Sequence, residues 1–129
     1  MSFPGRVLIV DDEPLVLEIF EQTLNTYGFD VYTASAAFEA LNMLERIFFD
    51  VVVCDVMLEG LNGFEILERA KASNPRVEFV LITGAPSKEG LSNALKKSTH
   101  YLTKPIDIHR LVQTVSSCIK AQSHSQHNH

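Results

Sequence analysis

Three carboxylates, a hydroxyl and an ammonium each follow directly on a short apolar run. Asp11 and Asp12 follow Val7-Leu8-Ile9-Val10, and Asp55 follows Val51-Val52-Val53-Cys54. Thr83 follows Phe79-Val80-Leu81-Ile82, and Lys104 follows Tyr101-Leu102-Thr103. Carboxylates brought together repel one another and retain protons unless a cation joins them. An all-oxygen set suits a hard divalent ion, Mg²⁺ before Zn²⁺, with Mn²⁺ as a substitute. A crevice that adds an ammonium and a hydroxyl is built to hold a tetrahedral dianion such as phosphoryl. Gly84, next to Thr83, leaves room for it. Taken singly, each residue has an ordinary explanation. Asp12 before Glu13-Pro14 reads equally well as a turn or cap, Thr83 as a turn hydroxyl, and Lys104 as a solvated charge. Their recurrence after four separate runs is what argues for a site.

The elements that must position them alternate in period. The four runs above and Val31-Tyr32-Thr33-Ala34 read as strands, and the first, third and fourth in chain order are unbroken by polar residues, as in strands covered on both faces. The second and fifth are shorter and more polar, which places them nearer the sheet edges. Between them the apolar spacing becomes helical. One stripe runs Val16, Ile19, Phe20, Thr23, Leu24, Tyr27 and stops at Gly28. A second runs Ala37, Leu41, Leu44, Phe48 behind Ser35 as an N-cap. A third, Phe64, Leu67, Ala70, ends at Asn74-Pro75, and a fourth, Leu91, Ala94, Leu95, is entered through Pro86-Ser87. The fifth, Ile108, Leu111, Val112, Val115, Ile119, starts from Asp107. The pattern is (βα)5, an α/β architecture with a parallel sheet and no internal linker. Every polar residue named above then sits at a C-terminal strand end, where ligands bind in open α/β sheets.

Length and composition narrow the classes further. The 129 residues, 46% hydrophobic and 21% charged, suit one ordinary domain and exclude a wholly disordered chain. No apolar run approaches the roughly 20 residues of a membrane span, and no signal-peptide pattern is present. Two cysteines, Cys54 and Cys118, are too few for a disulfide framework, so a reducing, cytoplasmic setting is expected. Cys54 should face away from Asp55 into the core. The net charge of −5 is uneven, −9 over residues 1–85 and +4 over residues 86–129. An acidic chain without a DNA-reading module is not expected to bind nucleic acid directly. The polar stretch 122–129, with His124, His127 and His129, is expected to be a disordered tail rather than a metal site.

Four segments carry a resemblance to a known family: VLIVDDEP at 7–14, VVVCDVMLEGLNGFEIL at 51–67, VLITGA at 80–85 and YLTKPID at 101–107. Over roughly residues 5–121 the chain resembles the receiver domain of bacterial two-component response regulators, of the chemotaxis-regulator kind. The resemblance implies a receiver domain over 1–121 with a flavodoxin-like fold and strand order 2-1-3-4-5. It implies Asp55 as phosphoacceptor, Asp12 as direct Mg²⁺ ligand and Asp11 as outer partner holding metal through water. The Met57 backbone carbonyl completes the protein ligands. Thr83 becomes the switch hydroxyl, Lys104 the phosphate counter-charge, Tyr101 the switch aromatic, and Pro105 follows Lys104 through a cis peptide. Function follows as a phosphorelay switch, not an enzyme beyond its own Mg²⁺-dependent phosphorylation and dephosphorylation. The phosphoryl would come from a sensor histidine kinase or a histidine phosphotransfer protein. A changed face made by the fourth helix, fifth strand and fifth helix, carrying Lys96, Lys97 and Arg110, would then engage an output partner or fused output domain. The protein would be a monomer or a phosphorylation-dependent dimer.

The chain departs from the family pattern in three places. Glu59 stands where proline is common, and the segment from Lys96 to Tyr101 is about one residue short and lacks the usual Gly-Ala pair. Met57 and Ala85 are apolar where other members orient hydrolytic water, so a long-lived phosphoryl state is expected. Three rivals share parts of the pattern. An aspartate-nucleophile phosphatase would need an acid at Met57, and a flavin carrier would need a Ser/Thr/Gly loop in place of Asp11-Asp12-Glu13. A degenerate receiver would lack some of this residue set.

Overall fold

The computed structural model describes the backbone of residues 5–97 and 99–127, with side chains through Gln122. Ten elements alternate along the chain: β1 (Arg6–Val10), α1 (Pro14–Thr26), β2 (Asp30–Ala34), α2 (Ala37–Arg46), β3 (Val51–Asp55), α3 (Gly63–Ser73), β4 (Glu78–Thr83), α4 (Lys88–Lys96), β5 (His100–Thr103) and α5 (Ile108–His127). All strand pairs are parallel, in the order β2-β1-β3-β4-β5, so the two more polar strands are the edges. The order and the fold class are those the resemblance implied.

The alternation of the strands divides the core into two layers. Leu8, Val10, Val52, Cys54, Phe79 and Leu81 face one way, covered by Ala37 and Ala40 of α2 and by Ile66, Leu67 and Ala70 of α3. Val7, Ile9, Val51, Val53, Val80 and Ile82 face the other, covered by Phe20 and Leu24 of α1 and Leu111, Val115 and Cys118 of α5. Burial on both faces explains why the three central strands are continuously apolar. Cys54 lies in the first layer and is free, as is Cys118 in the second.

Several details correct the sequence reading. Helix α2 ends at Arg46, so Phe48 leaves the stripe and is exposed, while its neighbour Phe49 fills the core. Ser35 does not cap α2; Ala36 occupies that position, and the Ser35 amide and hydroxyl bind the Glu39 carboxylate instead. In α4 only Ala94 is buried, and Leu91 and Leu95 face outward, because α4 packs mainly on the short edge strand β5. Ile19 and Tyr27 of the first stripe are likewise exposed. At the other end, Gln122 is no part of a loose tail. Its Nε2 donates to the Asp50 and Arg76 carbonyls at 2.9 and 2.6 Å, and α5 continues to His127. The side chains of His124 and His127, and all of His129, lie outside the described residues.

Candidate functional site

The register brings the C-terminal ends of β1, β3, β4 and β5 to one edge, with Val10 beside Cys54, Asp55 beside Ile82 and Thr83 beside Thr103. Asp11 leaves β1 with its amide still bonded to Ala34, and it is only 2% exposed. Its Oδ1 accepts the Glu13 amide at 2.9 Å, a short turn that aims the other oxygen across the crevice. Asp12 stands beside it, exposed to solvent. Asp55 closes β3 at 5% exposure, and its Oδ1 accepts the Met57 amide at 3.0 Å. That amide fixes the carboxylate and puts the Met57 backbone in the same turn.

The floor under Asp55 depends on a residue that the sequence reading passed over. Gly63 opens α3 with its amide on the Val56 carbonyl at 2.8 Å. A Cβ there would lie 2.7 Å from the Asp55 carbonyl oxygen and 3.0 Å from Val56 Cα. Only glycine lets the helix approach the strand exit this closely. The helix is anchored in that position by a capping box between Asn62 and Glu65.

Lys104 ties the pieces together. Its amide donates to the Thr83 carbonyl at 2.7 Å, and the Lys104–Pro105 peptide is cis. From there its Nζ reaches Asp55 Oδ2 at 2.9 Å, Glu13 Oε1 at 3.1 Å and Asp11 Oδ2 at 3.3 Å. Burial opposes the Lys104 charge, yet hydrogen bonds to Asp55 and Glu13 and the charges of Asp11 and Asp55 outweigh it, so the ammonium loses its proton less readily than usual. Burial pushes the Asp11 carboxyl up, against the Glu13 amide and the Lys104 charge, and Asp55 adds to the rise. One ammonium is thus shared among three carboxylates. Glu13 was not among the expected site residues, although its place directly after Asp11-Asp12 carried the signal.

Thr83 is buried at the end of β4, its Oγ1 accepting the Ala85 amide at 3.0 Å. Tyr101 shares the Thr83 face of the sheet, through the pairs Leu81–Tyr101 and Thr83–Thr103. Its hydroxyl end lies against Gly90 in the first turn of α4 rather than in the crevice, and a Cβ on Gly90 would collide with it. The connection before β5 is closed by Thr99, which donates its hydroxyl to the Phe79 carbonyl and its amide to the Ala94 carbonyl. Lys97, at the end of α4, is paired with Glu68 of α3 at 3.1 Å, leaving Lys96 and Arg110 exposed on that side.

Carboxylate oxygens of Asp11, Asp12, Glu13 and Asp55 all lie within 4.8 Å of one another. An all-oxygen set of this charge fits Mg²⁺ and offers nothing to a softer ion. A family model described as the response regulator receiver domain matches residues 7–116. The chain belongs to the response regulator receiver domain family. Receiver domains act as phosphoacceptor signalling switches, typically with Mg²⁺, and are not generally classed as enzymes. This receiver is similar to a CheY-like receiver domain protein from Methanospirillum hungatei, with a TM-score of 0.90 at 30% identity over 96% of this chain and 99% of that one. It is 31% identical to the transcriptional regulatory protein TrcR of Mycobacterium tuberculosis over 94% of this chain and 48% of that protein. It is 33% identical to the transcriptional regulatory protein ZraR of Salmonella typhimurium over 93% of this chain and 27% of that one. The chain thus spans half or less of the length of these curated relatives. Among the described residues no helix of the receiver is long and apolar enough to cross a membrane.

Proposed function

We propose that Asp55 is the residue that takes the phosphoryl group, from the phosphohistidine of a sensor histidine kinase or a histidine phosphotransfer protein. The observation that carries this reading is the Lys104 ammonium, 2.9 Å from Asp55 Oδ2 and beside the Asp11–Asp12–Glu13 carboxylates. A carboxylate oxygen of Asp55 attacks phosphorus, the P–N bond to the donor imidazole breaks, and the imidazole leaves with the electron pair and takes a proton. Asp12, Asp55 and the Met57 carbonyl would hold Mg²⁺, with Asp11 acting through water. Bound there, the ion supplies positive charge for the phosphoryl oxygens as they shed the donor. Lys104 exchanges its carboxylate partners for a phosphoryl oxygen, and the Met57 amide keeps the acceptor oriented.

The new acyl phosphate gives the Thr83 hydroxyl a partner to donate to. Movement of Thr83 opens space along the face it shares with Tyr101. The Tyr101 ring leaves Gly90, loosening the contact between β5 and α4, and the α4–β5–α5 face changes for an output partner or fused output domain. Lys96 and Arg110 on that side favour a partner with acidic groups. The test uses a small acyl-phosphate donor with and without Mg²⁺, and the cognate kinase where the small donor fails. One phosphoryl mass is gained by the wild type in Mg²⁺ and none by Asp55→Asn. An equal gain in that variant, or none in the wild type with either donor, overturns the proposal. The apolar Met57 and Ala85 leave no side chain to orient hydrolytic water, so the gained mass should persist once donor is removed.

A further inference from the structure

The opposite end of the sheet brings together three side chains of different chemistry. Glu78 begins β4, His100 begins β5, and Cys118 lies on the inner side of α5. The register pairs His100 with Val80, so Glu78 and His100 share the sheet face that Cys118 covers. A carboxylate oxygen, an imidazole nitrogen and the thiol sulfur lie within 4.8 Å of one another. Cys118 is 1% exposed, Glu78 is half-buried and His100 is exposed, so the sulfur forms a floor and the imidazole a rim. Among the described residues, neither the Glu78 carboxylate nor the His100 imidazole makes another hydrogen bond or ion pair. Lys71, whose charge favours the thiolate, has its own partner in the Val77 carbonyl. Burial and the Glu78 charge push the Cys118 thiol up to about 12, against the pull of Lys71. A thiol in that state holds its proton at neutral pH until something stronger replaces it.

We propose that Glu78, His100 and Cys118 form a Zn²⁺ site with three protein ligands and water in the fourth position. The donor set is the borderline-soft N/S/O combination that zinc takes and Mg²⁺ refuses. The two ends of the sheet therefore sort metals by chemistry, hard oxygens at Asp55 and a sulfur-containing set here. Binding replaces the Cys118 thiol proton, which goes to solvent, with the metal. It joins edge strand β5 to β4 and α5, which pack together through Val80, Leu102 and Val115. The site does not depend on the role proposed for Asp55.

The full chain is titrated with Co²⁺ and then Zn²⁺ in excess Mg²⁺ and a phosphine reductant, followed by absorbance and by competition with a chromophoric chelator. One equivalent of Co²⁺ should produce a thiolate-to-cobalt charge-transfer band, which Zn²⁺ abolishes on displacing the ion. Cys118→Ser should lose the band, and Cys54→Ser should keep it. His100→Ala, at an exposed position that leaves folding intact, should weaken Zn²⁺ binding more than about tenfold, at least as much as loss of an outer-shell partner. Glu78→Gln gives a second variant should Cys118→Ser fold poorly, and it should weaken binding likewise. Replacing His124, His127 and His129 by Gln should leave band and affinity unchanged. No band in the wild type, a band that survives in Cys118→Ser, affinity unchanged by His100→Ala and Glu78→Gln, or binding lost with the tail histidines would overturn the proposal.

Discussion

Replacing Lys104 by Met removes one charge and keeps an apolar stem along the crevice wall. That charge lies 2.9 Å from Asp55 and 3.3 Å from Asp11, whose side chains are 6% and 3% exposed. A charge pair about 4 Å apart attracts by about 4 kcal/mol at an effective dielectric of about 20. Two such pairs are offset in large part by withdrawing the ammonium from water. Deleting one partner of a buried pair nevertheless costs about 3–5 kcal/mol, because the other charge stays behind. Lys104 is 22% exposed, and water at its ammonium end brings the effect to or just below the bottom of that range. The expected loss for Lys104→Met at neutral pH is therefore about 2–3 kcal/mol, roughly 6–12 °C in Tm for a domain of this size. Mg²⁺ at millimolar concentration replaces the missing charge and should reduce the loss to less than about 1 kcal/mol. The pH dependence has a definite sign. Lys104 is held above its ordinary pKa, so its contribution is complete below the unfolded value and is lost only when pH rises through the higher folded one. Between pH 5 and 8 it is constant. Asp11 is also raised, by burial first, so the folded state holds its proton more tightly and a charged Asp11 costs stability as pH rises. Without Lys104 that rise increases, and the deficit of the variant should shrink as pH falls toward 4. Urea unfolding followed by circular dichroism, across pH and with and without Mg²⁺, reads all three effects. Equal midpoints for the two proteins without metal at neutral pH, or a deficit indifferent to both Mg²⁺ and acid, would show that Lys104 does not balance these carboxylates.

Two glycines carry further predictions. Gly63→Ala places a Cβ against the Asp55 carbonyl oxygen and Val56 Cα, both backbone, so the start of α3 must move. A loss of about 1–3 kcal/mol and slower gain of phosphoryl mass are expected; an unchanged urea midpoint with unchanged phosphorylation would show that the close approach is unnecessary. Gly90→Ala meets the far end of the Tyr101 side chain and, at 3.1 Å, the Ser87 Oγ that caps α4, and gains about 1 kcal/mol of helix propensity. Stability should stay within about 1 kcal/mol of wild type, while the Tyr101 ring shifts in NMR spectra of the unphosphorylated protein. Unmoved ring resonances would contradict the packing of Tyr101 on α4.

Much of this was legible along the chain because strands and helices announce themselves by period. The unbroken apolar runs at Val7, Val51 and Phe79 marked strands covered on both faces, and each was followed by a polar residue that now stands in the crevice. Where the reading missed, the period was ambiguous or the packing partner was absent from it. Phe48 and Phe49 are chemically alike, and only the end of α2 at Arg46 decides which one is buried. Leu91 and Leu95 fit a helical stripe perfectly well, yet α4 rests chiefly on an edge strand. Gln122 belonged to a polar tail by composition and became a buried bridge because α5 carries it to the Asp50 and Arg76 carbonyls.

The sequence by itself determined the elements, their order, and the residue types delivered to one edge of the sheet: Asp11, Asp12, Asp55, Thr83 and Lys104. Those follow from local rules, since side-chain period and turn chemistry act over a few residues. Tertiary structure alone decided the partnerships. Lys104 reaches Glu13 across 91 positions of chain, Tyr101 rests on Gly90, Gly63 underlies Asp55, and Glu78, His100 and Cys118 meet at the far end. Distances of that kind depend on how the layers dock, and burial then sets how strongly each charge is felt. Composition along the chain records which charges exist, whereas only the closed fold determines which of them must share one ammonium.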